Sequence, residues 1–223
     1  MKLSKSRIFS FAFCPKQFEW TYIKGYRQPE TQAMLIGSRI HEFCDKFFDH
    51  YNKVKKWGEL IPEDMCSSER DMLNFFLEYE KSRLDAREEI FKPLFREVYV
   101  ETDEFLGYID RVDDLGDNNV RLVEYKTGKS QNPSRIRQEM QFYRMLFEAV
   151  HPEYKVTQFR IYYPKLQEVV DYPVDSRSMT YLLKRIEKMK KCIEAGEYKV
   201  ECNLNKWFAC GLCELEDISN EMF

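Results

Sequence analysis

Between positions 34 and 52, Ile36, Ile40, Phe43, Phe47 and Tyr51 recur at three- and four-residue spacing and predict a helix with one apolar face, His41 lying beside it. A linker around residues 58 to 62 leads to a second predicted helix over 63 to 91, with Leu73, Phe76, Leu77 and Leu84 as its stripe and Pro93 as its stop. The pattern then changes. Runs rich in Val, Tyr, Phe and Ile at 95 to 102, 105 to 114 and 120 to 127 predict an antiparallel meander. The turn-rich stretch Leu115-Gly-Asp-Asn-Asn119 joins the last two into a hairpin. After a loop at 128 to 132, Pro133 and Ser134 open a helix reaching about 150, with Met140, Tyr143, Leu146 and Phe147 on one face. Two more strands, VTQFRIYYP and EVVDYPV, precede a helix over 177 to 195 that is capped by Asp175 or Ser176 and stopped by Gly196. The order predicts an α/β fold, a mixed central sheet flanked by helices.

The hairpin brings Asp110 close to Glu124, and strand alternation puts Glu124 and Lys126 on one face with Tyr125 on the other. Two carboxylates and an amine so placed suit a hard divalent cation, Mg2+ or Mn2+, that activates water against a phosphodiester. The backbone carbonyl of Tyr125 is a further candidate oxygen ligand. Lys126 would orient or activate the water and offset charge on a scissile phosphate.

Length and composition bound the rest. At 223 residues, 43% hydrophobic and 33% charged, the chain suits one globular domain. Its expected parts are an N-terminal segment at 1 to 33, a helical part at 34 to 92, a catalytic core at 93 to 196 and a cysteine-containing tail at 197 to 223. No apolar run approaches the roughly 20 residues of a bilayer span, and the N-terminus lacks a signal-peptide pattern, so a cytoplasmic protein with no membrane partner is expected. A net charge of -3 argues against a uniformly basic nucleic-acid coat but allows a local patch, for which Lys129, Arg135 and Arg137 are the candidates. The N-terminal run from Arg7 to Lys24 mixes cations with aromatics, which reads either as core packing or as a surface for a single strand. Seven cysteines, an odd number, disfavour a disulfide framework. Cys44, Cys66 and Cys192 fall in predicted helices and read as packing residues.

The helix motif Gly37-Ser-Arg-Ile-His41, the strand Gly107-Tyr-Ile-Asp110, the strand Glu124-Tyr-Lys126 and the helix carrying Tyr143 follow one another in an order that resembles the RecB-type branch of the PD-(D/E)XK nuclease superfamily. That branch includes CRISPR-associated RecB-like exonucleases and phage nucleases. The resemblance implies a restriction-endonuclease-like core and a metal site of His41, Asp110 and Glu124. It also implies Lys126 as the catalytic lysine, Tyr143 at the border of the site, and a DNA substrate, single-stranded or end-processed, cleaved as an exonuclease. Protein partners are compatible with it.

The chain departs from the pattern at Glu139, where the family has a glutamine four residues before the tyrosine. A carboxylate there repels phosphate unless it contacts the metal or Lys126, and Gln138 is the candidate to take over the amide's role. The resemblance also implies an iron–sulfur clasp joining the two ends, with Cys14, Cys210 and Cys213 as ligands. Its last usual position falls on Ser219, so Cys202 is the substitute, and the set would hold a [4Fe-4S] cluster or, with the same thiolates, zinc. Cysteines without any metal remain the alternative. Glu139 and the altered cysteine pattern leave a second functional reading, a catalytically silent nucleic-acid-binding or assembly subunit that keeps the fold. A phosphate-loop reading of Gly128-Lys-Ser130 fails, because Val123 stands where that loop needs glycine.

Overall fold

The computed structural model describes residues 1 to 26, 29 to 87, 90 to 128 and 132 to 199. Along the chain run α1 (Lys5–Phe13), α2 (Pro15–Phe18), a π-helical turn (Glu19–Ile23), α3 (Gln32–His50), a 3-10 turn (Trp57–Leu60), α4 (Ser67–Asp85), β1 (Phe95–Glu101), β2 (Leu106–Asp114), β3 (Asn119–Tyr125), α5 (Pro133–Val150), β4 (Lys155–Tyr163), β5 (Glu168–Pro173) and α6 (Ser176–Ala195). The chain divides into two units, one of Met1–Lys2 with Pro29–Leu182, the other of Leu3–Gln28 with Leu183–Phe223.

The larger unit is built on a five-stranded sheet in sequential order, β1 to β5. Its first three strands form the expected antiparallel meander, β3 and β4 pair in parallel, and β5 closes antiparallel on β4. A parallel pair needs a crossover, and α5 supplies it. Val123, Tyr125 and Tyr162 sink into the apolar cluster of α3 and α4, which holds Ile40, Phe43, Phe47, Leu73 and Phe76. On the side of α5, Gly107 is required by close approach: a Cβ there would lie 3.2 Å from a Tyr143 ring carbon and 3.4 Å from Leu146. The β2–β3 turn places Gly116, Asp117 and Asn118 at positive φ, a region that glycine, aspartate and asparagine tolerate best.

Helix ends differ from the periodic pattern where side-chain chemistry intervenes. Helix α4 starts four residues late because Glu69 accepts the Cys66 amide at 2.8 Å in a capping box. It ends at Asp85, before Arg87 turns left-handed at φ 54°, so Leu84 is exposed and is not part of the stripe. Cys66 is therefore an exposed cap residue and not a packing residue, whereas Cys44 is fully buried and Cys192 partly so. Asp175 caps α6 by accepting from the Ser178 amide at 2.7 Å.

Inside this unit lies a buried ionic cluster. Arg111 donates to both oxygens of Asp113 at 2.6 and 3.0 Å and to Glu80 at 2.7 Å, and Arg83 closes on the other Glu80 oxygen at 2.5 Å. Tyr162 donates its hydroxyl to Glu80 as well. Each buried charge thus faces an opposite one, the condition under which ions can leave water.

In the smaller unit, Ser4 caps α1 by accepting from the Arg7 amide, and Pro15 opens α2. Ile8, Phe9, Phe11, Phe18 and Trp20 are buried. Most of the aromatics of the N-terminal run are thus spent on packing, the first of its two readings.

Candidate active site

The site forms where β2 and β3 part. Their ladder pairs Arg111 with Val123 and continues toward the turn, and beyond it the Asp110 carboxylate takes over: its Oδ2 accepts the buried Tyr125 amide at 2.8 Å. The carbonyl of Tyr125, on the other side of that residue, faces His41 Nε2 at 3.0 Å. With Nε2 donating there, Nδ1 lies 3.5 Å from Asp110 Oδ1. A ring steered in this way by a backbone carbonyl is the usual arrangement of a metal-ligating histidine. The Tyr125 oxygen, expected as a ligand, serves in this structure as the acceptor that orients His41.

Why His41 can come so close follows from the glycine one turn earlier on α3. A Cβ at Gly37 would sit 3.1 Å from Thr127 Oγ1, just past the end of β3, so any larger residue would need Thr127 to give way for α3 to run this near the strand.

A second acid completes the group. Glu97 of β1 stands opposite Asp110, between the paired residues Arg96 with Arg111 and Val98 with Ile109. Its φ of 42° is rare for a non-glycine residue. Ligand atoms of His41, Glu97 and Asp110 lie within 4.8 Å of one another. One imidazole nitrogen and two carboxylate oxygens at this spacing fit a Mg2+ or Mn2+ ion, with nitrogen favouring Mn2+. His41 and Glu97 open on a cleft of about 690 Å3 that Gly37, Ser38, Glu42, Asp45 and Thr127 also line.

Electrostatics report the same crowding. Burial alone would lower the His41 pKa, but the Asp110 hydrogen bond and charge, joined by Glu124 and Glu97, outweigh it and raise it to about 9. Desolvation, followed by the charge of Asp110, pushes Glu97 up to about 7. Both shifts belong to a site with excess negative charge, which a cation would relieve.

Glu124 and Lys126 share the expected face. Lys126 Nζ lies 2.9 Å from Glu124 and 2.7 Å from Glu139, and Arg135 reaches the other Glu139 oxygen at 2.8 Å. Glu139 therefore makes the contact with Lys126 that its charge requires. The Gln138 amide donates to the Ser134 carbonyl of its own helix at 3.1 Å, and Glu139 holds the lysine. Tyr143 is buried nearby, and desolvation together with the charges of Glu124 and Asp110 raises its hydroxyl far above the ordinary range, so it keeps its proton. Arg137 donates to the Pro133 carbonyl at 3.2 Å and lies over the Tyr172 ring at 5.8 Å. Lys129, Cys202, Cys210 and Cys213 lie outside the described residues; Cys14 is buried at the junction of α1 and α2.

Glu97 was missed in the sequence. The available signal was an acid on a strand preceding the Gly107 to Asp110 strand, and only the register turns it into a neighbour of Asp110.

The family model described as the PD-(D/E)XK nuclease superfamily matches residues 2–218. No curated protein matches. A crystal structure from Eubacterium rectale, of a protein whose name proposes an exonuclease, superposes with a TM-score of 0.57 at 13% identity, over 94% of this chain and 91% of that one. At that identity it speaks for the fold. A second solved structure, SSO0001, covers 74% of this chain and 88% of its own at 12% identity, with a TM-score of 0.29 that carries no argument.

Proposed function

The chain belongs to the PD-(D/E)XK nuclease superfamily, and from that premise we propose that it is a metal-dependent deoxyribonuclease, an exonuclease acting on single-stranded or end-processed DNA. The observation that carries the metal dependence is the convergence of His41, Glu97 and Asp110 from three separate elements within 4.8 Å. These residues would hold Mg2+ or Mn2+, with Glu124 beside them. When bound, the cation supplies Lewis acidity and lowers the pKa of water. Asp110 and Glu97 would fix its place on the sheet, with His41 aimed by the Tyr125 carbonyl. Lys126, steadied between Glu124 and Glu139, would meet the phosphate as a cation at the mouth of the site. Hydrolysis then exchanges one phosphorus–oxygen bond for another, with the oxygen of water entering and the sugar oxygen leaving with a proton.

Labelled single- and double-stranded DNA incubated with Mn2+ or Mg2+, beside a Lys126→Ala control, tests the proposal. Cleavage that needs the metal and Lys126 supports it, and end-blocked substrates separate exonuclease from endonuclease action. The second reading, a silent nucleic-acid-binding subunit, is favoured by Glu139 occupying the lysine. Binding of DNA without metal-dependent cleavage by the unaltered protein would select it.

A further inference from the structure

Two residues along β1 and β2 from the acids of the site stands an exposed aromatic pair. Tyr99 and Tyr108 are cross-strand partners, their rings 5.0 Å apart and tilted by 47°. They are 46% and 58% exposed. Same-face positions along a strand repeat at about 7 Å. Glu97 and Tyr99 share the solvent-facing side of β1, and Tyr108 and Asp110 are two positions apart on β2. The tyrosines thus border the place where Glu97 and Asp110 would hold a cation.

The Tyr99 ring is tethered: its hydroxyl donates to Glu101 at 2.5 Å, and Lys2 pairs with the same carboxylate, so that acid is already countered by a cation. Cross-strand aromatic pairs do support sheets. Sheet support alone, however, does not call for this much ring surface in water beside a site rich in acids.

We infer that Tyr99 and Tyr108 form a stacking platform for an unpaired base of the substrate strand, next to the scissile phosphate. The inference rests on the nuclease reading of the neighbouring acids and narrows its substrate to strands with unpaired bases. Ring faces accept any base and add affinity without reading sequence. Bases inside a duplex are already stacked on their neighbours, so the platform serves a single strand or a frayed end.

The test compares unaltered protein with Tyr108→Ala, Tyr108→Leu and Tyr108→Phe on a labelled single-stranded oligonucleotide with Mn2+. Tyr108→Leu keeps apolar packing against Tyr99 without a ring face, and melting curves check that each variant folds. The expected result is a KM raised about tenfold in the Ala and Leu variants with kcat nearly kept, and Phe near the unaltered protein. Placing an abasic nucleotide beside the cleaved bond should weaken the unaltered protein equally and add nothing to Tyr108→Leu. An unchanged KM in a folded Tyr108→Leu overturns the platform even though the nuclease reading stands. Should the unaltered protein not cleave, fluorescence anisotropy of the same oligonucleotide decides: weaker binding by Tyr108→Leu supports the platform while the nuclease reading falls, and equal binding overturns the platform too.

Discussion

Replacing Gly37 by alanine sets two effects of similar size against each other. Alanine in place of glycine within a helix is worth about 1 kcal/mol. Against that, the new Cβ would stand 3.1 Å from Thr127 Oγ1, a tight contact, and overpacking of this kind costs about 1–3 kcal/mol. Gly37→Ala alone should therefore range from neutral to about 2 kcal/mol destabilised. Removing the obstructing oxygen with Thr127→Ala should free the helix gain, so that Gly37→Ala in that background stabilises by about 1 kcal/mol. The coupling between the two positions is then about 1–3 kcal/mol, and each kcal/mol moves the melting midpoint by about 2–4 °C in a chain of this size. Thermal melts of the four proteins measure it. Because His41 lies one turn further along α3, titration with Mn2+ should show weaker binding in Gly37→Ala and recovery in the double variant. If alanine at 37 stabilises equally in both backgrounds, Thr127 does not limit the approach of α3, and the account of the glycine fails.

Three further outcomes are expected. The metal-free protein should lose thermal stability as pH rises from about 5 to 9, because the raised pKa of Glu97, about 7, and of His41, about 9, favour protonated forms in the fold that are lost as pH climbs through those values; Mn2+ should remove much of this slope, and His41→Asn should flatten its upper part. Arg111→Ala should destabilise by about 3–5 kcal/mol, read from urea unfolding, because it leaves the buried Asp113 and Glu80 carboxylates short of their counter-charge. Glu139→Gln should keep substantial cleavage, since an amide oxygen can still accept from Lys126, whereas Glu139→Ala should lower kcat by more than tenfold in a single-turnover assay.

Much of this arrangement is written locally in the chain. The five strands follow from β-branched and aromatic runs broken by turn residues, and the opposition of Tyr125 to Glu124 and Lys126 follows from strand alternation, since the tyrosine sinks into the α3 and α4 cluster while the lysine meets α5. Other features depend on pairing between distant segments. Glu97 becomes a neighbour of Asp110 only through the register of β1 on β2 and a left-handed backbone angle that an acidic residue does not advertise. Gln138 and Glu139 are adjacent in sequence, yet a helical step of about 100° turns one amide onto Ser134 and the other side chain onto Lys126. Charged residues ordinarily mark solvent, so Arg111, Asp113 and Glu80 gave no sign of meeting in the interior, where the arginine counters both acids.

Asp110 has two employments, one in the architecture and one in the chemistry. Its carboxylate closes the fork between diverging strands by accepting the Tyr125 amide, and the same group faces the histidine. A descendant that abandoned cleavage could let Glu97 drift, since that side chain caps no strand. At position 110 it would still need an oxygen at the tip of a short side chain, so aspartate or asparagine should outlast the activity there, as a vestige maintained by folding.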